Sequence, residues 1–99
     1  MPKESGTGVA AFRSRQQVQL FEQMLLQHGL YAHVIHTPHE IAIGCGLSVE
    51  FDVQDYDTVR RIYESSQGLH SFVGFYHCEA RGTKLVCTPM YKHLLNHEK

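Results

Sequence analysis

Two hydrophobic rhythms take turns along this chain. Val18, Leu20, Phe21, Met24 and Leu25 recur at the three-to-four-residue spacing of an amphipathic helix. Ser14-Arg15-Gln16-Gln17 ahead of them has the form of a capping box, with Ser14 as N-cap and Gln17 at the third helical position, and Gly29 is a C-terminal stop. The spacing predicts a helix over 14–28. Tyr56, Val59, Ile62 and Tyr63 make a second helical face, capped by Asp52 and ended by Gly68. The other rhythm is that of strands. Val9–Phe12 is a short apolar run, Tyr31–His36 a second, and Gly46–Phe51 alternates, with Leu47, Val49 and Phe51 facing one way and Ser48 and Glu50 the other. Ser71–Glu79 reads as a fourth strand. Arg81-Gly82-Thr83-Lys84 reads as a tight turn with Gly82 at the first central position of a type II′ hairpin. Lys84–Met90 then returns as a fifth strand, which Pro89 confines to a sheet edge.

The order β-α-β-β-α-β predicts an α+β fold, a ferredoxin-like sandwich of two helices on one face of an antiparallel sheet, with an extra C-terminal edge strand. Residues 1–99 are expected to form one domain, with 1–8 frayed and 84–99 an extension whose tail, 91–99, forms a last helical turn. Strand four carries apolar residues on both faces, read from strict alternation as Phe72/Tyr76 and Val73/Phe75. One set must meet the helices. The other leaves an aromatic patch to be covered by residues 84–99 or by a second copy, which makes a homodimer the expected assembly. Fold alone does not give function.

Charge removes several function classes. Nine Lys and Arg stand against ten Asp and Glu, and the halves balance, with three basic and four acidic residues in 1–50 and six of each in 51–99. A nonspecific nucleic-acid or anionic-membrane binder needs a basic surplus that is missing here. No apolar run approaches the ~20 residues of a spanning helix, and MPKESGTG has no signal core, so the cytosol is the expected compartment. Three cysteines without a C-x-x-C do not make a secreted disulfide scaffold. The chain has no P-loop, no dinucleotide fingerprint, no Gly-x-Ser-x-Gly and no paired-carboxylate motif. A classical hydrolase, kinase or dehydrogenase is therefore not expected.

The candidate chemistry lies in TPHEIAIGCGLSVEF, residues 37–51. Thr37-Pro38-His39-Glu40 is a second capping-box pattern, with Pro38 at the first helical position, and predicts a helical turn through Ala42 or Ile43. Gly44 and Gly46 then flank Cys45, freeing the backbone around one thiol and removing side-chain bulk beside it. His36 and His39 are close in sequence, and an imidazolium beside Cys45 would favour the thiolate, the form that attacks sulfur or binds metal. The same residues also fit a buried cysteine acting as a small hydrophobe at a glycine turn.

This segment resembles the selenium/sulfur (Se/S) carrier protein-like family, small proteins with a Thr-Pro-x-Glu-Ile stretch followed by Cys-Gly and a strand. Phe12-Arg13-Ser14, Gly29 and Phe51-Asp52 extend the resemblance over most of the chain, up to about Ala80. The chain departs from it at His39, where arginine is the more usual residue. The resemblance implies a carrier that holds sulfur or selenium as a persulfide or selenopersulfide. By the Cys-Gly match the carrying residue is Cys45, with Thr37, Pro38, His39, Glu40, Gly44 and Gly46 shaping the loop that presents it. It implies sulfur or selenium donor and acceptor proteins as partners. Such chemistry is thiol exchange and needs neither an acid–base dyad nor a cofactor. A resolving cysteine would assist release, and Cys78 or Cys87 could serve if the fold brings one near.

Three other constellations compete. Counting outward from the Gly82-Thr83 turn, Cys78 falls directly opposite Cys87 in a non-hydrogen-bonded pair, close enough for a disulfide, although in a reducing cytosol two neighbouring thiols are expected. His36, His39 and Cys45 could hold a transition metal, whereas His33 and His36 point to opposite faces of a strand. Phe72-Val73-Gly74-Phe75-Tyr76 has a passing likeness to an RNA-stacking strand but lies on the wrong strand for that motif. A non-catalytic binding or assembly module, with Cys45 structural, is the principal alternative to the carrier.

Overall fold

The computed structural model describes residues 6–41 and 46–90. Its elements run β1 (Thr7–Phe12), α1 (Arg15–Gln27), β2 (Ala32–His36), β3 (Leu47–Phe51), α2 (Tyr56–Ser65), β4 (Phe72–Arg81) and β5 (Lys84–Pro89). The five strands form one antiparallel sheet in the order β2-β3-β1-β4-β5. The fold is α+β and ferredoxin-like, with β5 added at the edge beside β4. Pro89 fits there because the missing N–H falls at the end of an edge strand.

The helices bury their apolar stripes on one face of the sheet. Val18, Phe21 and Leu25 of α1 and Val59 and Ile62 of α2 meet Ala10, Phe12, Val49, Phe51 and Phe75. Phe75 sits at the centre, its ring 4.7 Å from Phe72, 5.6 Å from Tyr56, 5.8 Å from Tyr63 and 5.9 Å from Phe51. Edge-on ring pairs of this kind add to the burial of apolar area. Gly8 has a particular place in this packing. It pairs with Phe51, whose ring lies over it and occupies the space a Cβ would take. Gly8→Ala therefore has to push the Phe51 ring out of a packed core, at about 1–3 kcal/mol. A urea melt should show a lowered midpoint at unchanged slope; an unmoved midpoint would mean that Phe51 does not need the glycine.

Several local expectations are corrected. Residues 1–5 and 91–99, the latter including the expected helical tail, lie outside the described residues. Thr7 and Gly8, expected to fray, are in β1, held on both sides by β3 and β4. The second helix begins with a short 3-10 turn at Val53–Asp55. Asp52 caps this turn by accepting from the Gln54 N–H at 2.9 Å, so the α-helix itself starts at Tyr56. Arg60 lies with its guanidinium 5.7 Å from the Tyr56 ring centroid.

The reading of strand four changes most. Ala11 pairs with Gly74 and Phe12 with Phe72, so Val73 is an extra residue on β4. A bulge of this kind flips the alternation beyond it. Phe72 and Phe75 consequently share the helix face, while Val73 and Tyr76 share the opposite face with Val9, Ala11, Ile35, Ile41, Cys78 and Cys87. The aromatic patch expected to call for a second copy contracts to Tyr76, which is itself half-buried. The Gly82 turn is as expected, with φ +65° at Gly82 and no positive φ at Thr83, the type II′ pattern.

Candidate functional site

The described part of the segment between β2 and β3 is fastened at its base, and its Ile41 packs on the helix-free face of the sheet. Its ends are held by the Thr37 N–H, which donates to the Gly46 carbonyl at 2.9 Å. The Thr37 and Ser48 hydroxyls pair at 2.7 Å. Pro38 begins a turn closed by the Ile41 N–H donating to the Pro38 carbonyl at 2.9 Å, with His39 and Glu40 exposed at its tip. Ile41 is only 3% exposed and joins the apolar cluster of Val9, Ala11 and Cys78. Ile41 thereby anchors the described turn to that face of the sheet.

This arrangement explains why Ser48, assigned to the polar face of its strand, is fully buried. The face is covered, and a buried hydroxyl needs a partner. Thr37 supplies it, so the Thr37 hydroxyl, expected to cap a helical turn at Glu40, is directed to Ser48 instead. Gly46 has φ +93° with open space around the place of a Cβ, so the backbone conformation calls for glycine there rather than crowding. Of the residues assigned to the site, Thr37 and Pro38 hold the base of the segment, His39 and Glu40 its tip, and Gly46 its return. Gly44, Cys45 and the continuation of the helical turn through Ala42 and Ile43 lie outside the described residues.

Register shows what shares this end of the sheet. Ala11 pairs with Ser48, so Gly46 falls level with Arg13, two residues further along. Arg13 and Arg15 are exposed. Between them Ser14 caps α1, its side chain accepting from the Gln17 N–H. The other half of the capping box is replaced. The Ser14 N–H donates to Ser71 Oγ at 3.2 Å, and the Gln17 carboxamide oxygen accepts from the Ser71 N–H at 2.9 Å and from its hydroxyl at 2.7 Å. Gln17 Nε2 lies 2.9 Å from His70 Nε2. This network ties the α1 N-terminus to the start of β4. Nothing in the sequence pointed to it beyond a glutamine at the third helical position, because its partners come from 54 positions away.

Cys78 and Cys87 are paired in register and joined by a disulfide, with Cα atoms 4.0 Å apart. Two neighbouring thiols were expected, and the directly opposed non-hydrogen-bonded position brings the sulfurs into bonding range instead. The pair lies at the far end of β1, since Cys78 pairs with Thr7 while Gly46 is level with Arg13. Six residues of strand separate them, about 20 Å, with two strand spacings across. Both cysteines are therefore remote from Gly46.

His33 and His36 are both exposed on β2, opposite Glu50 and Leu47 respectively, and so project to opposite faces. Among the described residues no group of three His, Cys, Asp or Glu is arranged to hold a metal ion; the His36, His39 and Cys45 combination involves a residue outside them. At the other end of β2 the Tyr31 hydroxyl donates to Glu50 at 2.7 Å, and this bond holds the phenol above its ordinary pKa. Among the described residues no helix is long and apolar enough to cross a membrane.

No curated protein and no solved structure matches the chain. A family described as "Putative Se/S carrier protein-like" does match, over residues 7–71. The match takes in β1 to α2 and the whole of the Thr37–Phe51 segment, and stops short of β4, earlier than the Ala80 limit of the sequence resemblance. By that match the chain belongs to the Se/S carrier protein-like family.

Proposed function

We propose that this protein is a sulfur or selenium carrier that holds the chalcogen on Cys45 as a persulfide or selenopersulfide. The observation that carries this reading is the extent of the family match, which includes Cys45 and excludes Cys78 and Cys87. The disulfide supports it from another side. With Cys78 and Cys87 bonded to each other, Cys45 has no cysteine partner left in a chain of three cysteines.

The carrier acts by thiol exchange. The Cys45 thiolate attacks the outer sulfur of a donor persulfide, the donor leaves as its own thiolate, and an acceptor thiolate later takes the outer atom from Cys45. The chain's task is to keep the thiol ionised and reachable. The α1 N-terminus, Arg13 and Arg15 lie at the end of the sheet that carries Gly46, and positive charge there favours thiolate over thiol. Thr37, Pro38, Glu40 and the two glycines shape the segment, and His39 at its exposed tip is available to a partner. The partners are a donor and an acceptor protein, and the cytosol is the expected compartment.

Alkylation of the folded protein tests this directly. The carrier predicts one rapid modification by iodoacetamide, at Cys45, with a pH midpoint below the ~8.5 of an ordinary thiol. A thiol that reacts only after denaturation would make Cys45 structural and the protein a binding or assembly module.

A further inference from the structure

The Cys78–Cys87 bond lies outside the family-matched residues and outside the carrier chemistry, and its placement is unlike that of a structural staple. It joins residues that the hairpin already pairs. Six register pairs run from Arg81–Lys84 to Tyr76–Pro89, the Gly82 turn closes one end, and beyond the other the Met90 N–H donates to the Phe75 carbonyl at 2.8 Å. With a sequence separation of 9, the bond removes less unfolded-chain entropy than one closing a long loop. Since the ladder and the turn already hold β5, and no residue of β5 is fully buried, the bond adds little to the core. Both apolar clusters are assembled chiefly from other elements.

The two sulfurs are also unequal. Cys78 is 3% exposed, in the cluster with Val9, Ala11 and Ile41, whereas Cys87 is half-buried on the outer strand. Access decides which sulfur of a disulfide an incoming thiolate reaches.

We propose that Cys78 and Cys87 form a reversible two-electron thiol–disulfide exchange centre, reached through Cys87 and served by a dithiol reductant. One thiolate of the reductant attacks Cys87 Sγ. The Sγ–Sγ bond breaks, its electron pair leaves on Cys78 Sγ, and Cys78 takes up a proton. The reductant's second thiolate then attacks its own sulfur in the mixed disulfide and releases Cys87, which is protonated in turn. The protein gains two electrons and two protons, and the dithiol becomes a disulfide. The ladder and the Gly82 turn keep β5 in register in the reduced form, so the thiols stay opposed and the bond can close again.

The test uses the full chain carrying Cys45→Ser, so that its outcome does not depend on the carrier reading. Dithiothreitol added to the folded protein should raise the intact mass by two hydrogens and leave the far-UV circular dichroism unchanged. Oxidised dithiothreitol should reverse the change. In the same background, Cys87 freed by Cys78→Ser should be alkylated at least about tenfold faster than Cys78 freed by Cys87→Ser. A bond that opens only in denaturant, a pair that does not oxidise in the folded protein, or a Cys78 as reactive as Cys87 would each overturn the proposal. The first two outcomes need only the intact pair, so the proposal stays testable if a single-cysteine variant fails to fold.

Discussion

Replacing Phe75 by alanine is expected to cost about 3–5 kcal/mol, the range for removing a buried aromatic ring. Phe75 is fully buried on the central part of β4, and rings from three other elements and from its own strand converge on it. Phe21 of α1 is 6.4 Å away, Phe51 of β3 5.9 Å, Tyr56 and Tyr63 of α2 5.6 and 5.8 Å, and Phe72 of its own strand 4.7 Å. The cavity cannot collapse easily, because the sheet backbone forms its floor and both helices are held by the same rings. For a domain of this size the loss corresponds to a fall in thermal midpoint of about 12 °C or more. Small domains are held by only about 5–15 kcal/mol in all, so the variant sits near the limit of folding. A loss below about 1 kcal/mol would mean that the ring cluster is not the keystone of the helix face.

Ile41→Ala is expected to produce the second large change, of a different kind. Ile41 is a nearly fully buried anchor within a connecting segment, and truncating it removes about 2–4 kcal/mol of apolar burial and packing. The segment is attached at its base by the Thr37–Gly46 and Thr37–Ser48 hydrogen bonds, so the loss should emerge largely as local opening rather than as global unfolding. Amide exchange at Thr37 should accelerate by about tenfold or more, while protection at the Phe75-centred core falls much less. Unchanged protection at Thr37 would show that the base of the segment holds without its anchor.

Both expectations rest on features of unequal visibility in the sequence. Local chemistry was legible. Ser14 announces its cap, Gly82 its turn, and the spacing of Val18, Phe21 and Leu25 its buried stripe, because a few adjacent residues determine each. The Cys78–Cys87 register could be counted outward from the turn for the same reason. The bulge at Val73 could not, since it arises only when β4 is laid beside β1, and it reversed the face assigned to Phe72. Ser48 and Gln17 look like surface residues by pattern. Both are buried, with Thr37 answering one and Ser71 the other, across separations that a local reading does not span. At the candidate site, the glycines and the lone thiol were legible as chemistry. The anchor at Ile41, the Thr37–Ser48 pair and the level of Gly46 with Arg13 needed the assembled sheet.

The most direct test of the carrier is the intact mass of untagged protein with the Cys78–Cys87 bond intact, after brief exposure to a sulfane-sulfur donor and desalting, beside Cys45→Ser. The account predicts a single added sulfur on the parent chain, none on Cys45→Ser, and loss of the added mass when an acceptor thiol is supplied. No adduct on the parent chain, or an adduct that persists on Cys45→Ser, would contradict it.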